Sequence, residues 1–173
     1  LDGLTVSTGA TGYCSQCGET VTWAAYGTEG ATHVYLTADV TDFAEVSVTD
    51  ELAIDLCGFS ITATGRAFCV AEGGKLQIID SVGTGSVTGS GVAGENGGLF
   101  NNAGTLTLMG GKYTYAKNAA IADGGVIYNS GTLNLSDVIL DASAYNNAEG
   151  NGGAVCMAPA ETATMTFNGG YVL

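Results

Sequence analysis

The first residues that could do chemistry are Cys14 and Cys17, which are separated by two residues and are followed by Gly18. A tight C-x-x-C-G turn aims two thiolates at one point and can supply half of a tetrahedral zinc site. Two more ligands are required, and His33 is the only histidine of the chain. The other cysteines are isolated in the sequence: Cys57, Cys69 and Cys156. Three alternatives stay open for Cys14 and Cys17: a zinc site near His33, a local disulfide, or free thiols.

Carboxylates are the second group of side chains that could do chemistry. Asp80 and Asp137 occupy equivalent repeat positions, but Gly110 interrupts the row between them. A polysaccharide lyase needs carboxylates that hold Ca²⁺ beside an Arg or Lys base, and the only arginine, Arg66, does not sit among aspartates. A glycoside hydrolase needs two carboxylates roughly 5–10 Å apart, which Asp137 and Asp141 could provide. We expect no catalysis, with a lyase or hydrolase and surface-bound Ca²⁺ as alternatives.

Tyrosines are the third group. Tyr113 and Tyr115 flank Thr114, so on a strand both rings project to the same side, and Tyr128 falls on a later repeat. Aromatic rings offer flat surfaces for stacking on sugars, but in a β-rich protein they often cover the core instead. The carbohydrate-binding alternative therefore names Tyr113, Tyr115 and Tyr128 as ligand-binding residues, together with Asp137.

The charge balance excludes some partners. The chain has 173 residues, with 17 acidic and 4 basic side chains and a net charge of −13. Such a chain repels phosphate backbones, so we expect no binding to nucleic acid. It has no run of 18 apolar residues, and we expect no insertion into a membrane.

Imperfect repeats organise the second half of the sequence. GTLTL at residues 104–108 matches GTLNL at 131–135, and the segments before them, 98–103 and 125–130, match as well. An earlier copy, GGKLQI, occupies residues 73–78, and a degraded later copy covers residues 152–165. A period between 20 and 50 residues is typical of solenoids, propellers and arrays.

The content of one repeat predicts which solenoid it is. Each unit offers three short alternating segments, and Leu106, Leu108, Leu133 and Leu135 should point inward as stacked rows. This pattern predicts an all-β protein, a right-handed parallel β-helix with coils of about 24–30 residues. We place the helix at residues 31–173 and a small N-terminal cap with the cysteine knuckle at residues 1–30. Turn asparagines are expected to be structural, with a short amide ladder from Asn101, Asn102 and Asn129.

Several motifs together carry a family resemblance: YCSQCGETVTW at residues 13–23, YLTADV at 35–40, IDLCGFSIT at 54–62, and the GTLxL repeats. They resemble the β-helix repeat regions of large secreted, adhesin-like surface proteins of anaerobic Gram-positive gut bacteria. The resemblance implies a secreted or cell-surface module that is structural or adhesive. It also implies host or cell-wall glycans, or surface proteins, as partners, and it brings no catalytic residues.

The last residues, 169–173, stop in the middle of the repeat pattern without a polar cap. An uncapped coil exposes an edge that invites strand pairing. We therefore expect either more chain or a partner subunit at this edge, including self-association through it.

Overall fold

The fold is described from a computed structural model, which covers residues 11–14, 19–116, 121–143, 150–159 and 162–173. Within these ranges all regular secondary structure is β-strand, and no helix occurs. The prediction of an all-β protein is therefore confirmed. Parallel pairing dominates, and the one antiparallel pair among the described strands joins β1 (Thr11–Cys14) to β2 (Glu19–Thr22).

The parallel strands form three stacks, which we call faces 1, 2 and 3. Face 1 contains β3 (Ala24–Ala25), β4 (His33–Tyr35), β7 (Glu51–Asp55), β10 (Lys75–Ile79), β13 (Thr105–Met109) and the first parts of β16 (Thr132–Asp141) and β18 (Thr164–Val172). Face 2 contains β5 (Val40–Phe43), β8 (Ser60–Ala63), β11 (Ser86–Gly89), β14 (Lys112–Tyr115) and the second parts of β16 and β18. Face 3 contains β6 (Val46–Val48), β9 (Phe68–Val70), β12 (Phe100–Asn102), β15 (Ile127–Asn129) and β17 (Val155–Met157).

The chain visits the faces in the order 3, 1, 2, and each strand pairs in register with its equivalent in the next repeat. Leu76 pairs with Leu106 and Leu106 with Leu133, so equivalent side chains stack in rows. The predicted inward residues are buried: Leu106, Leu108, Leu133 and Leu135 are each at most 1% exposed. Their prediction is confirmed, and burial of each side chain contributes about 1.5–3 kcal/mol to stability.

Aromatic rings fill the corner of the core beneath face 3. The ring centroids of Phe43 and Phe68 are 5.3 Å apart, and those of Phe68 and Phe100 are 5.8 Å apart and nearly parallel. The stacking of Phe68 on Phe100 adds to the burial energy of these two rings. Phe68 and Phe100 are equivalent residues of β9 and β12, whereas Phe43 belongs to β5 and packs against Phe68 from face 2.

Two turn asparagines form the amide ladder. The Nδ2 atom of Asn102 donates to Oδ1 of Asn129 at 2.6 Å, and Asn129 in turn donates to the carbonyl of Thr164 at 3.1 Å. Both side chains are fully buried, and this part of the prediction is confirmed. Asn101 is half-buried and lies opposite Tyr128 in the register, so it does not belong to the ladder.

The bends between face 1 and face 2 need residues with positive φ. Gly110 and Gly111 have φ of 73° and 80°, whereas Asp137 takes the same place in the next repeat with φ of 53°. In an earlier repeat Cys57 and Gly58 have φ of 49° and 81°, and Phe59 donates to the carbonyl of Leu56 at 2.9 Å. Positive φ at both central residues is what a type I′ turn requires.

Trp23 organises a second, smaller cluster. The cluster also contains Tyr35, Ala53 and Ile79. These residues alternate along their strands with Val34, Ile54 and Ile78, which belong to the main core. The cluster therefore lies on the outer side of face 1. Trp23 thus packs against the side of the stack.

Candidate binding surfaces

Tyr113 and Tyr115 lie on the same side of β14, as the alternation predicts, but that side is the interior. Both are 0% exposed, and the ring of Tyr113 meets the ring of Phe100 edge-on at 5.7 Å. Burial raises the pKa of the Tyr113 phenol far above its usual value, and the charge of Asp80 adds to this effect. No ring face reaches the solvent, so the prediction that Tyr113 and Tyr115 stack on a sugar is wrong.

Tyr128 is the candidate tyrosine that keeps contact with the solvent. It is half-buried on the outer side of face 3, in register with Asn101 on one side and Cys156 on the other. Its neighbours Ile127 and Asn129 are fully buried, which fixes its side chain outward. Its role as a ligand-binding residue stays a prediction.

Asp80 and Asp137 line one depression at the bend between faces 1 and 2, with a volume of about 250 Å³. The carboxylate of Asp80 is already engaged, because Oδ1 accepts from the backbone of Gly58 at 2.9 Å and Oδ2 from Gly85 at 2.6 Å. Asp137 is exposed and occupies a bend position that favours Gly, Asn or Asp. Both aspartates therefore have a structural role in forming the bends.

The hydrolase alternative needs a carboxylic acid that stays protonated near neutral pH. Asp141, the proposed second carboxylate, accepts from Lys112 at 2.8 Å and from the hydroxyl of Ser143 at 2.6 Å. These hydrogen bonds lower the pKa of Asp141 to about 2, the one from Lys112 most of all. This shift has the wrong sign for a general acid and leaves Asp141 only the role of an ionised base or nucleophile, so the hydrolase alternative stays a prediction.

His33 is buried beside Trp23, whose ring it meets edge-on at 5.4 Å. Its Nε2 atom lies 3.7 Å from Glu51. Burial lowers the pKa of His33, and Glu51 opposes this shift. In the part of the chain that the structure describes, no three His, Cys, Asp or Glu side chains come together as metal ligands. The Cys14 side chain and Cys17 fall outside the described residues, so the three alternatives for this pair stay predictions.

Arg66, considered above only as the base that a lyase would need, ties three repeats together. Its Nε atom lies 2.8 Å from Glu45, and Nη2 lies 2.9 Å from Glu95. Nη1 donates to the carbonyl of Asn96 at 2.9 Å. The guanidinium is 5% exposed, and a planar group with five donors suits such a buried clamp. The sequence signal for it is the lone Arg in an acidic chain.

A groove that the sequence analysis missed runs along the bend between face 3 and face 1. Its volume is about 580 Å³, and Thr105, Ser130, Thr132 and Thr162 line it beside Glu72 and Lys75. Gly104 and Gly131 also line it, and a Cβ on either would collide with a carbonyl oxygen of the preceding repeat. The GTLxL motif contains both features: the Gly packs against the neighbouring repeat and the Thr faces the groove.

Comparison with protein-family models, with curated proteins and with solved structures finds no match. The described residues include no helix of the length and apolarity that a membrane span requires.

Proposed function

We propose that this chain is a non-catalytic, extracellular surface module, structural or adhesive, whose three faces are the sides of a right-handed parallel β-helix. Its motifs resemble the secreted, adhesin-like proteins named above, and the in-register pairing of all three faces is compatible with the β-helix. One observation carries the non-catalytic part. Several polar side chains that could do chemistry, among them Arg66, Lys112 and Asp141, instead hold neighbouring repeats together.

Five such links are clear. Arg66 joins Glu45 and Glu95, and Lys112 joins Asp141. Asp39 accepts from Ser60 at 2.8 Å, and Asn102 donates to Asn129. A side chain whose polar group is already engaged in an ion pair or hydrogen bond is a poor general acid or nucleophile. These residues therefore suit a rigid scaffold that displays a surface.

The scaffold proposal is tested by incubating the chain with polygalacturonate and with mucin glycans and measuring product release. We expect no products above the level of a heat-denatured sample. Release of products that Asp137→Asn abolishes would contradict the proposal and support the enzymatic alternative. Release that survives Asp137→Asn and Asp80→Asn together would indicate a contaminating enzyme, which a second purification step removes.

Carbohydrate binding is a second candidate, and the groove between faces 3 and 1 favours it over the buried tyrosines. Neutral sugars present hydroxyls that donate and accept, and the groove is lined by Thr and Ser residues beside Gly73, Gly104 and Gly131. We expect binding to neutral oligosaccharides on a glycan array. Thr105→Val with Thr132→Val should weaken that binding about tenfold or more, because it removes two groove hydroxyls, each hydrogen bond being worth about 1 kcal/mol. Thr88→Val on face 2 is the matched control and should leave binding unchanged.

A further inference from the structure

The groove between faces 3 and 1 extends over several repeats. The same turn of four successive repeats lines it, with Glu72, Gly73 and Lys75 from the first, residues 103–105 and 130–132 from the next two, and Thr162 from the last. Neighbouring strands of a sheet are about 4.8 Å apart, so three such steps give a length of roughly 14 Å. The groove therefore runs along the stacking direction, across the strands.

The backbone amides along the groove are already engaged. The amide of Thr105 donates to the carbonyl of Gly74 at 2.9 Å, and that of Thr132 donates to the carbonyl of Gly104 at 2.8 Å. A peptide that binds by adding a strand needs free backbone donors and acceptors at the edge of a sheet. These turns do not offer such an edge, so a ligand in the groove must be recognised mainly by side chains.

Threonines repeat along the groove with the spacing of the repeats. Thr105 and Thr132 are paired in register on neighbouring strands, and both are half-buried. Their hydroxyls therefore recur about every 4.8 Å, which is close to the length of one sugar unit in an extended glycan chain. The side chains on one side of an extended peptide recur about every 6.6 Å, out of step with the repeats. The spacing thus favours a glycan over a peptide.

Tyr128 adds an aromatic ring close to the middle of the groove. It faces outward on β15, two residues before Ser130, which lines the groove. The ring of a tyrosine suits the apolar face of a sugar, and its hydroxyl can form a hydrogen bond at the same time. Of the three tyrosines considered in the sequence analysis, Tyr128 is therefore the one that a sugar in the groove can reach.

Charge indicates which kind of glycan the groove accepts. Glu72 and Lys75 give its lining one charge of each sign. The chain as a whole has a net charge of −13, which repels an acidic polysaccharide. A cationic polysaccharide would be attracted to the acidic surface in general, without preference for the groove. A neutral glycan is therefore the best match.

We propose that the groove binds an extended, unbranched, neutral oligosaccharide that runs along the stacking direction, with one sugar unit on each repeat and one ring against Tyr128. This inference rests on the carbohydrate-binding candidate above and adds the shape, length and direction of the ligand. Four repeats line the groove, so about four sugar units fill it. Further units lie beyond the groove and add little contact.

Calorimetric titration with β-1,4-linked glucose oligosaccharides of increasing length tests the length and the shape. We expect the affinity to rise at least about tenfold from the disaccharide to the tetrasaccharide, because each added unit gains hydrogen bonds worth about 1 kcal/mol, and then to level off. Maltohexaose, whose α-1,4 linkages make the chain coil, should bind at least about tenfold more weakly than cellohexaose, because it cannot follow a straight groove.

The outcomes separate this inference from the function on which it rests. An affinity that does not depend on length, or equal binding of maltohexaose and cellohexaose, would overturn the inference and leave carbohydrate binding in place. Binding on the glycan array to branched or acidic glycans alone would overturn it as well. Absence of binding to every glycan, on the array and in solution, would remove the carbohydrate-binding candidate itself.

Variants of Tyr128 test the ring contact. Tyr128→Ala should weaken the binding of cellotetraose about tenfold, whereas Tyr128→Phe keeps the ring and should stay within about threefold of the wild-type chain. Tyr26→Ala is the control, because Tyr26 is 41% exposed and does not line the groove. The thermal unfolding midpoint of each variant shows whether it folds. A folded Tyr128→Ala variant with wild-type affinity would overturn the ring contact.

A second pair of variants does not depend on Tyr128. Thr105→Arg places a long side chain in the groove and should weaken the binding of cellotetraose at least about tenfold. Thr107→Arg introduces the same side chain on the same side of β13, outside the groove lining, and should leave the affinity within about threefold of the wild-type value. Equal affinities of the two variants would show that the glycan binds elsewhere and would overturn the inference.

Discussion

The middle and the last repeat have the same alternation of side chains but a different environment. Leu106 and Leu108 of β13 are fully buried, whereas Met165 and Phe167, at the equivalent positions of β18, are more than two-fifths exposed. The difference arises because β13 has a neighbouring strand on both edges and β18 pairs with β16 alone among the described strands. Alternation decides which side of the strand a residue faces, and the neighbouring repeat decides how deeply it is buried.

The largest expected effect compares truncations in the two repeats. Leu106→Ala should lower the free energy of unfolding by about 2–5 kcal/mol, because it opens a cavity in the packed row. Met165→Ala should lower it by less than about 1 kcal/mol in the monomer, because the side chain is already half in water. Chemical denaturation at low protein concentration measures both. Equal losses would show that burial does not differ between the repeats as described.

The glycines allow a comparison of backbone packing. Gly104→Ala should cost about 1–3 kcal/mol, because the new Cβ would collide with the carbonyl oxygens of Ala71 and Gly74. Gly153 in the last repeat has nothing within 4 Å of such a Cβ, and Gly153→Ala should be close to neutral. Thermal unfolding of both variants checks this. A neutral Gly104→Ala would contradict the close approach of the repeats.

The link between Lys112 and Asp141 predicts a pH dependence. The hydrogen bond from Lys112 lowers the pKa of Asp141 in the folded chain to about 2, from an ordinary value of 3.8. Its contribution to stability is therefore fully present above about pH 4 and is lost as the pH falls towards 2. Asp141→Asn should lower stability at pH 7 and flatten the decline between pH 4 and pH 2. Glu72→Gln, on an exposed turn, is the control and should retain the decline of the wild-type chain.

The smallest expected effect concerns the bend at Cys57. Its φ of 49° suits Asn better than Cys, and Asn-Gly is the preferred pair for a type I′ turn. Cys57→Asn should stabilise the fold by a few tenths to about 1 kcal/mol, because the partly buried Cys57 packs only at the margin of the Trp23 cluster. Burial, aided by Asp55, raises the pKa of the Cys57 thiol to about 11, so we also expect slow alkylation at neutral pH. Destabilisation by Cys57→Asn would show that its packing outweighs the turn preference.

The inner rows could be predicted from sequence because they depend on a local rule. The spacing of Leu106 and Leu108, repeated at Leu133 and Leu135, fixes both the strand and its inward side. Tyr113 and Tyr115 obey the same rule, but a pair of aromatic residues with polar neighbours looks alike whether it faces water or the core. Which side is inside depends on the neighbouring strands, and the sequence does not show these for a single segment.

The surfaces could be predicted less well. The groove beside Thr105 and Thr132 depends on how closely the turns stack, which follows from the contacts of Gly104 and Gly131 with the preceding repeat. Arg66 contacts residues from two other repeats, at separations in the chain that no local pattern reveals. The equivalence of Asp80 and Asp137 was visible in the sequence, whereas the hydrogen bonds that occupy Asp80 were not.

Residue-resolved amide hydrogen exchange at several protein concentrations tests the account most directly. We expect strong protection of β13 at every concentration, because its amide hydrogens exchange with solvent only when the whole chain unfolds. We expect weaker protection of β18, because it pairs with β16 alone among the described strands. Protection of β18 that equals that of β13 at every concentration would contradict the comparison of the repeats.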